Sequence, residues 1–308
     1  MKTKISLLTL AIAAILAISS CGNGSGDADL NSSVDSLMND QASQPVVKLS
    51  DEVIEQIIET FPSPLELTSM LAASGVEYND ELLNNTDVDR FKNSSEKAFN
   101  LGVYGADLGY TNFYEKTTSA IGILSSVRDL SNDLKVGQFF DFATMKRLAE
   151  NKSNLDSLLY ISTRGFQQMD DYLTDNGRGE ISLLILYGGW LEGLYLATES
   201  CREQAQISEG LVEQIGQQKI VIDNLLLLTE THATNPSIKP IRDDLETLKV
   251  LYDQVTISFT YAEPTKKVVN GMLVIEDNSE SVINVAPELL PQILDAVAKI
   301  RNKKVVNV

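Results

Sequence analysis

The sequence predicts an all-α protein, a multi-helix bundle with one small β-hairpin before the C-terminal helix. Apolar residues recur at three- and four-residue spacing from about residue 50 to residue 259, the period of helices that bury one face. Helix breakers punctuate the pattern at Pro62-Ser63-Pro64, Gly75, Gly137, Asn176-Gly177 and Asn235-Pro236. A short β-branched stretch near the end, KKVVNGMLVI at 266–275, departs from it. An apolar content of 43% is that of an ordinary globular chain.

The first residues read as an address. Lys2 and Lys4 precede an apolar run from Leu7 to Ile18 that only Thr9 interrupts. The run is too short to span a bilayer as a stable helix and has the proportions of a signal-peptide core. Ser19-Ser20-Cys21 follow. Charge, apolar run, small residues and cysteine in that order resemble the lipobox of bacterial lipoproteins. The resemblance implies cleavage before Cys21, whose sulfur then carries diacylglycerol and whose new amine is acylated. Several acyl chains anchor stably where one would be marginal. Residues 1–20 are therefore expected to be a signal peptide. Residues 21–49, rich in Gly, Ser, Asn and Asp, are expected to be a lipidated flexible tether.

A single helical domain is expected over 50–308. Ser50-Asp51-Glu52 supply a cap and first-turn acids. Pro64 suits the first turn of a second helix over 64–73, stopped by Gly75, and a short third helix is expected near 79–83. The spacing then predicts helical sequence over 87–134, as two helices meeting around 101–104. Further helices are expected over 138–149, 154–173, 179–201, 204–229 and 236–259. The tail reads as a strand at 266–275, a turn at Glu276-Asp277-Asn278 and a returning strand at 281–285. A last helix over 287–302 follows. Two strands alone are marginal and need a helical surface beneath them.

Two glycine-bearing segments stand out, LGVYGADLGY at 101–110 and LYGGWLEGLY at 186–195. Each glycine inside a helix costs about 1 kcal/mol against alanine, so their number asks for a reason. Gly105 and Gly109 share one face, and so do Gly189 and Gly193, the spacing that lets helix backbones approach. The first reading is a central helix crossing packed by Tyr104, Tyr110, Trp190 and Tyr195. The second is a pocket at its rim, with Tyr104, Asp107, Tyr110, Tyr114, Trp190, Glu192 and Tyr195 as ligand-binding candidates. Flat aromatic faces with a few polar tips suit small molecules and glycans. Asp107 and Glu192 lie in apolar surroundings and demand partners, either a ligand or Arg128, Arg164 or Arg202.

The same two blocks carry a resemblance. Pro62-Ser63-Pro64, LGVYGADL at 101–108 and GGWLEGLY at 188–195 resemble a family of uncharacterised lipoproteins from Bacteroidota. The resemblance covers most of the chain beyond the leader. It implies a helical extracytoplasmic protein and brings no activity with it.

Composition excludes several chemistries. A net charge of −18, from 43 acidic and 25 basic residues, opposes nucleic-acid binding. One His and two Cys cannot build a Cys/His zinc site in one chain. Cys21 is assigned to lipid, and Cys201 reads as a small buried hydrophobe. His232, near a helix end, has neither a Gly-x-Ser-x-Gly elbow nor a His-Glu-x-x-His motif to serve. Asp170, Asp171 and Asp175 lack the spacing of a calcium loop. No catalytic set, metal site or cofactor is expected. The functional expectation is a non-enzymatic helical binding or interaction module of the cell envelope. Its lipid anchor is placed in the outer membrane, with the body facing the periplasm or the cell surface. The membrane is one partner, and an envelope protein or small ligand another. A carboxylate-dependent hydrolase using Asp107 or Glu192, and a structural subunit of an envelope assembly, are the alternatives.

Overall fold

The computed structural model describes residues 57, 61, 76–150, 155–202, 207–269, 272–276 and 278–306. The expected leader, Cys21 and the tether lie outside them. So do the first two expected helices, apart from Ile57, which is helical, and Phe61. The helices are α1 (Ser94–Phe113), α2 (Thr117–Asp133), α3 (Phe142–Ala149), α4 (Leu155–Asp175), α5 (Gly179–Arg202), α6 (Glu209–Thr231), α7 (Lys239–Tyr252) and α8 (Leu290–Val306). Between α7 and α8 come four short strands: β1 (Thr256–Thr260), β2 (Thr265–Val269), β3 (Met272–Glu276) and β4 (Glu280–Asn284). The all-α bundle with a small β element before the C-terminal helix is thus the observed architecture. Contacts divide the chain into two compact units, one holding Phe259–Glu280 and the other Lys48–Ser258 with Ser281–Val308.

In the larger unit α1 and α5 form the central pair. Every residue from Ala98 to Thr111 is buried, as are nearly all from Ile181 to Leu196. A helix apolar on all sides belongs inside a core. Gly179–Arg202 is long and apolar enough to cross a membrane by composition, yet 83% of that window is buried within the protein. Around the pair, α2 packs on α1, α4 on α5, and α3 against α2 and α4. On another side α6 and α8 pack on α5, with α7 against both.

The crossing is set by glycine. A Cβ on Gly102 would overlap the carbonyl oxygen of Ile185 and crowd the amide of Gly189, and one on Gly188 would overlap the carbonyl oxygen of Phe99. Backbone therefore meets backbone between α1 and α5. Gly105, Gly109 and Gly193 are buried in the same helices, but the approach is fixed at Gly102 and Gly188-Gly189.

Local signals explain the helix ends. Asn93 and Glu96 form a reciprocal capping box at the start of α1. Asp141 and Ser208 cap α3 and α6. The expected junction at 101–104 is corrected: α1 runs unbroken through it and meets α2 at Tyr114–Lys116. Glu115 there takes a φ of 57°, and the Lys116 amide reaches back to the Thr111 carbonyl at 2.8 Å, a left-handed helix stop without its usual glycine. Lys135 repeats the device after α2 with a φ of 61°. Gly177 supplies the usual form of it after α4.

The strand expectation also needs correction in detail. The 266–275 stretch is itself a hairpin, β2 pairing antiparallel with β3 from Thr265↔Glu276 to Val269↔Met272. The two residues between the paired ends are Asn270-Gly271, the combination that two-residue hairpin loops favour. The returning strand, β4, pairs with β1 instead, a strand that the sequence reading had merged into the preceding helix. Within the smaller unit, Asn278 Nδ2 donates to Glu263 O and Thr265 Oγ1, both at 2.9 Å.

Candidate functional site

Tyr104, Asp107, Tyr110 and Tyr114 recur at three- and four-residue steps and make one stripe along α1. The partner of that stripe is the chain itself. Residues 76–86, irregular apart from a single 3-10 turn at Asp80–Leu82, run along α1 in the opposite direction, and the stripe serves their backbone. Tyr114 Oη donates to Val76 O at 2.7 Å. The Asn79 amide donates to Tyr110 Oη at 2.9 Å. The Asn84 amide donates to Asp107 Oδ2 at 3.2 Å, and Tyr104 Oη donates to Asn85 O. From α2, Ser126 Oγ donates to Thr86 O at 3.0 Å. An irregular segment has no internal ladder for its peptide groups, so those packed against a core need partners such as these. The Tyr78 ring stacks on Tyr110 at 5.3 Å, and Lys116 Nζ sits over it, 4.6 Å from its centroid.

The two acids meet where this segment joins α5 and α8. Asp107 and Glu192 are both wholly buried. Asn84 Nδ2 bridges them, donating to Asp107 Oδ2 at 2.8 Å and to Glu192 Oε1 at 2.9 Å. The cation is Arg301 of α8, which grips Glu192 through Nε–Oε2 at 2.9 Å and Nη2–Oε1 at 2.7 Å. Its Nη2 also donates to Asn84 Oδ1 at 2.9 Å and to Leu82 O at 3.4 Å. The guanidinium carbon lies 4.1 Å from the centroid of Tyr195. Trp190 is buried, with Nε1 donating to Gln218 Oε1 of α6 at 2.9 Å.

The structure thus gathers Tyr104, Asp107, Tyr110, Tyr114, Glu192 and Tyr195 against residues 76–86 and Arg301 as an internal lock, while Trp190 bonds to α6 instead. The arginines expected as partners are corrected. Arg128 pairs with Asp129, Arg202 pairs with Glu199 and Asp295, and Arg164 is exposed on α4, whereas Glu192 pairs with Arg301. Asn84 and Arg301 were missed. The signal for Arg301 was its place on the apolar stripe of α8, four residues after Val297 and four before Val305, both buried. A lone arginine on such a stripe implies a buried acid opposite. Asn84 carried no signal, because it stands in unpatterned sequence.

Burial pushes the Asp107 carboxyl well above its ordinary 3.8, the nearby Glu192 charge pushes it further, and the Asn84 and Arg301 contacts oppose both. Oδ1 of Asp107 has no hydrogen-bond partner. The linkage sign follows. A folded-state carboxyl with a raised pKa binds more protons than its unfolded counterpart, so its contribution is full below the unfolded pKa and is lost as pH rises through the folded one. Asp107→Asn keeps the acceptor for Asn84 and removes the titration. Its stability relative to wild type is expected to climb with pH from about pH 4 upward. Urea denaturation across that range tests this, and a difference independent of pH would refute it.

Elsewhere the chemistry is sparse. Cys201 is buried, and burial pushes its thiol up to about 12. His232 is half-buried, and burial holds its pKa below the ordinary value. Among the described residues no three His, Cys, Asp or Glu side chains gather to hold a metal ion. Comparison of the chain with protein-family models, curated proteins and solved structures finds no match. Fold and site together define an all-α bundle whose central helices carry an internal polar lock.

Proposed function

We propose that the protein is a lipid-anchored component of the bacterial cell envelope whose helical body is a non-enzymatic binding or interaction module. One observation carries the anchor: Lys2 and Lys4, the apolar run from Leu7 to Ile18, and Ser19-Ser20-Cys21 stand in lipobox order. The likeness of its glycine blocks to Bacteroidota lipoproteins supports the same compartment and favours the outer membrane. The state of the acids supports a non-enzymatic body. A two-carboxylate hydrolase needs both groups open to a scissile bond and water, and Asp107 and Glu192 are sealed and already engaged with Asn84 and Arg301. A thiol pushed up to about 12 is a poor nucleophile.

The anchor is tested by expressing the full chain in a bacterial host fed an alkyne fatty acid. Wild type is expected to take up the label and to sediment with membranes, while Cys21→Ala takes up none and keeps its leader. An unlabelled wild-type chain would overturn the anchor.

A further inference from the structure

A cleft of about 450 Å³ lies between the first turns of α1, the start of α7, α5 and the end of α8, within the ~300–1,000 Å³ of small-molecule sites. Phe99, Leu184 and Ile241 give it apolar wall. Its polar groups are of another kind. Asn100 lines the cleft with its side-chain Nδ2 spent on the Glu96 carbonyl at 2.9 Å. That bond orients the amide and leaves Oδ1 as a buried acceptor with no partner. Asn100 is 1% exposed and its Oδ1 has no surface open to the cleft, so a donor there relieves the unmet acceptor by drawing the soft χ2 torsion round at the expense of the Glu96 bond. The hydroxyls of Ser95 and Ser237 face each other at 2.8 Å, and either can donate.

Charge narrows the ligand. Lys304 Nζ is paired with Asp244 at 2.7 Å. Glu96 is spent on the Lys92 amide and on Asn93 Nδ2, both at 2.7 Å. Neither charge is left for a charged ligand, which would lose hydration without gaining a counter-ion. A neutral hydroxyl suits every group: it donates to Asn100 Oδ1 and accepts from a serine hydroxyl or from the remaining N–H bonds of Lys304. Its carbon face would lie on Phe99, Leu184 and Ile241. We infer that the cleft binds a small neutral polyol of monosaccharide size. The inference rests on the reading of the body as a binding module and gives that module a site and a ligand class.

Saturation-transfer NMR with the full chain, in a detergent without a sugar headgroup, tests it with D-glucose, D-galactose, D-mannose and N-acetyl-D-glucosamine. At least one sugar is expected to receive saturation on its ring C–H protons. Asn100→Leu, which removes the acceptor at similar volume, is expected to weaken binding about tenfold. Ser237→Phe, which fills the cleft from a loop and leaves the core intact, is expected to abolish the signal with unchanged melting. If Asn100→Leu fails to fold, Ser237→Phe decides alone. Absence of binding by all the sugars overturns the proposal, and so does binding that survives Ser237→Phe. In the second case a sugar-binding body persists with its site elsewhere, so the cleft fails and the binding-module reading stands.

Discussion

Gly188→Ala is expected to destabilise the protein by about 3 kcal/mol, the upper end for overpacking a core, and Gly102→Ala by a similar amount. Alanine offers two opposing gains, about 1 kcal/mol of helix propensity and up to ~1 kcal/mol from a less flexible unfolded chain. Neither decides the outcome, because the new methyl meets no side chain that can rotate away. On Gly188 it meets the Phe99 carbonyl, and on Gly102 the Ile185 carbonyl. Both carbonyls are backbone in buried helices, so relief requires α1 and α5 to move apart and to open gaps along the whole interface. Gly122→Ala is the internal control. It lies inside α2, and a Cβ there would touch only the Thr86 methyl at 3.8 Å, an ordinary contact. It is expected to stabilise by up to ~1 kcal/mol. Thermal and urea unfolding read all three variants. A neutral Gly188→Ala would mean that the central crossing does not rest on backbone contact.

The reason this crossing was legible in the sequence is that glycine is costly in a helix, so clustered glycines inside apolar periodicity have few explanations. The junction expected at 101–104 had no such physical support, and α1 runs through it. The real stop at Glu115 was hidden because a left-handed helix cap usually announces itself with glycine and here uses glutamate. The strands were partly hidden for a related reason. Asn270-Gly271 is a strong hairpin signal, but it sits inside a continuous β-branched stretch and was absorbed into one strand. The internal lock was half legible. Asp107 and Glu192 were conspicuous as acids among apolar residues, and their need for partners followed from desolvation alone. The identity of those partners depends on long-range packing. Arg301 lies 109 residues from Glu192 in sequence, and Asn84 lies 108 from it. Residues 76–86 have no period to read, since their peptide groups are satisfied by side chains of α1, α2 and α8 and by no ladder of their own.

Arg301→Met is expected to cost about 3–5 kcal/mol, the range for removing one partner of a buried ion pair. Methionine keeps much of the aliphatic length, so the loss is mainly electrostatic. Glu192, wholly buried, would be left with Asn84 Nδ2 alone against its charge, beside Asp107. Of the further bonds that vanish with the guanidinium, those to Leu82 O and Asn84 Oδ1 hold residues 76–86. The variant should therefore also expose that segment to limited proteolysis before the bundle unfolds. Glu192→Gln is expected to destabilise too, because it strands Arg301, which is only 7% exposed. The double variant Arg301→Met with Glu192→Gln is expected to lose less than the sum of the two, the coupling being the measure of the lock. This cycle also separates the functional readings. A catalytic Glu192 would leave stability intact when changed to its amide, whereas a structural one would not. Additive losses in urea unfolding, or a loss below about 1 kcal/mol for Arg301→Met, would show that the pair behaves as a surface bridge and that residues 76–86 are held by their contacts with α1 and α2 instead.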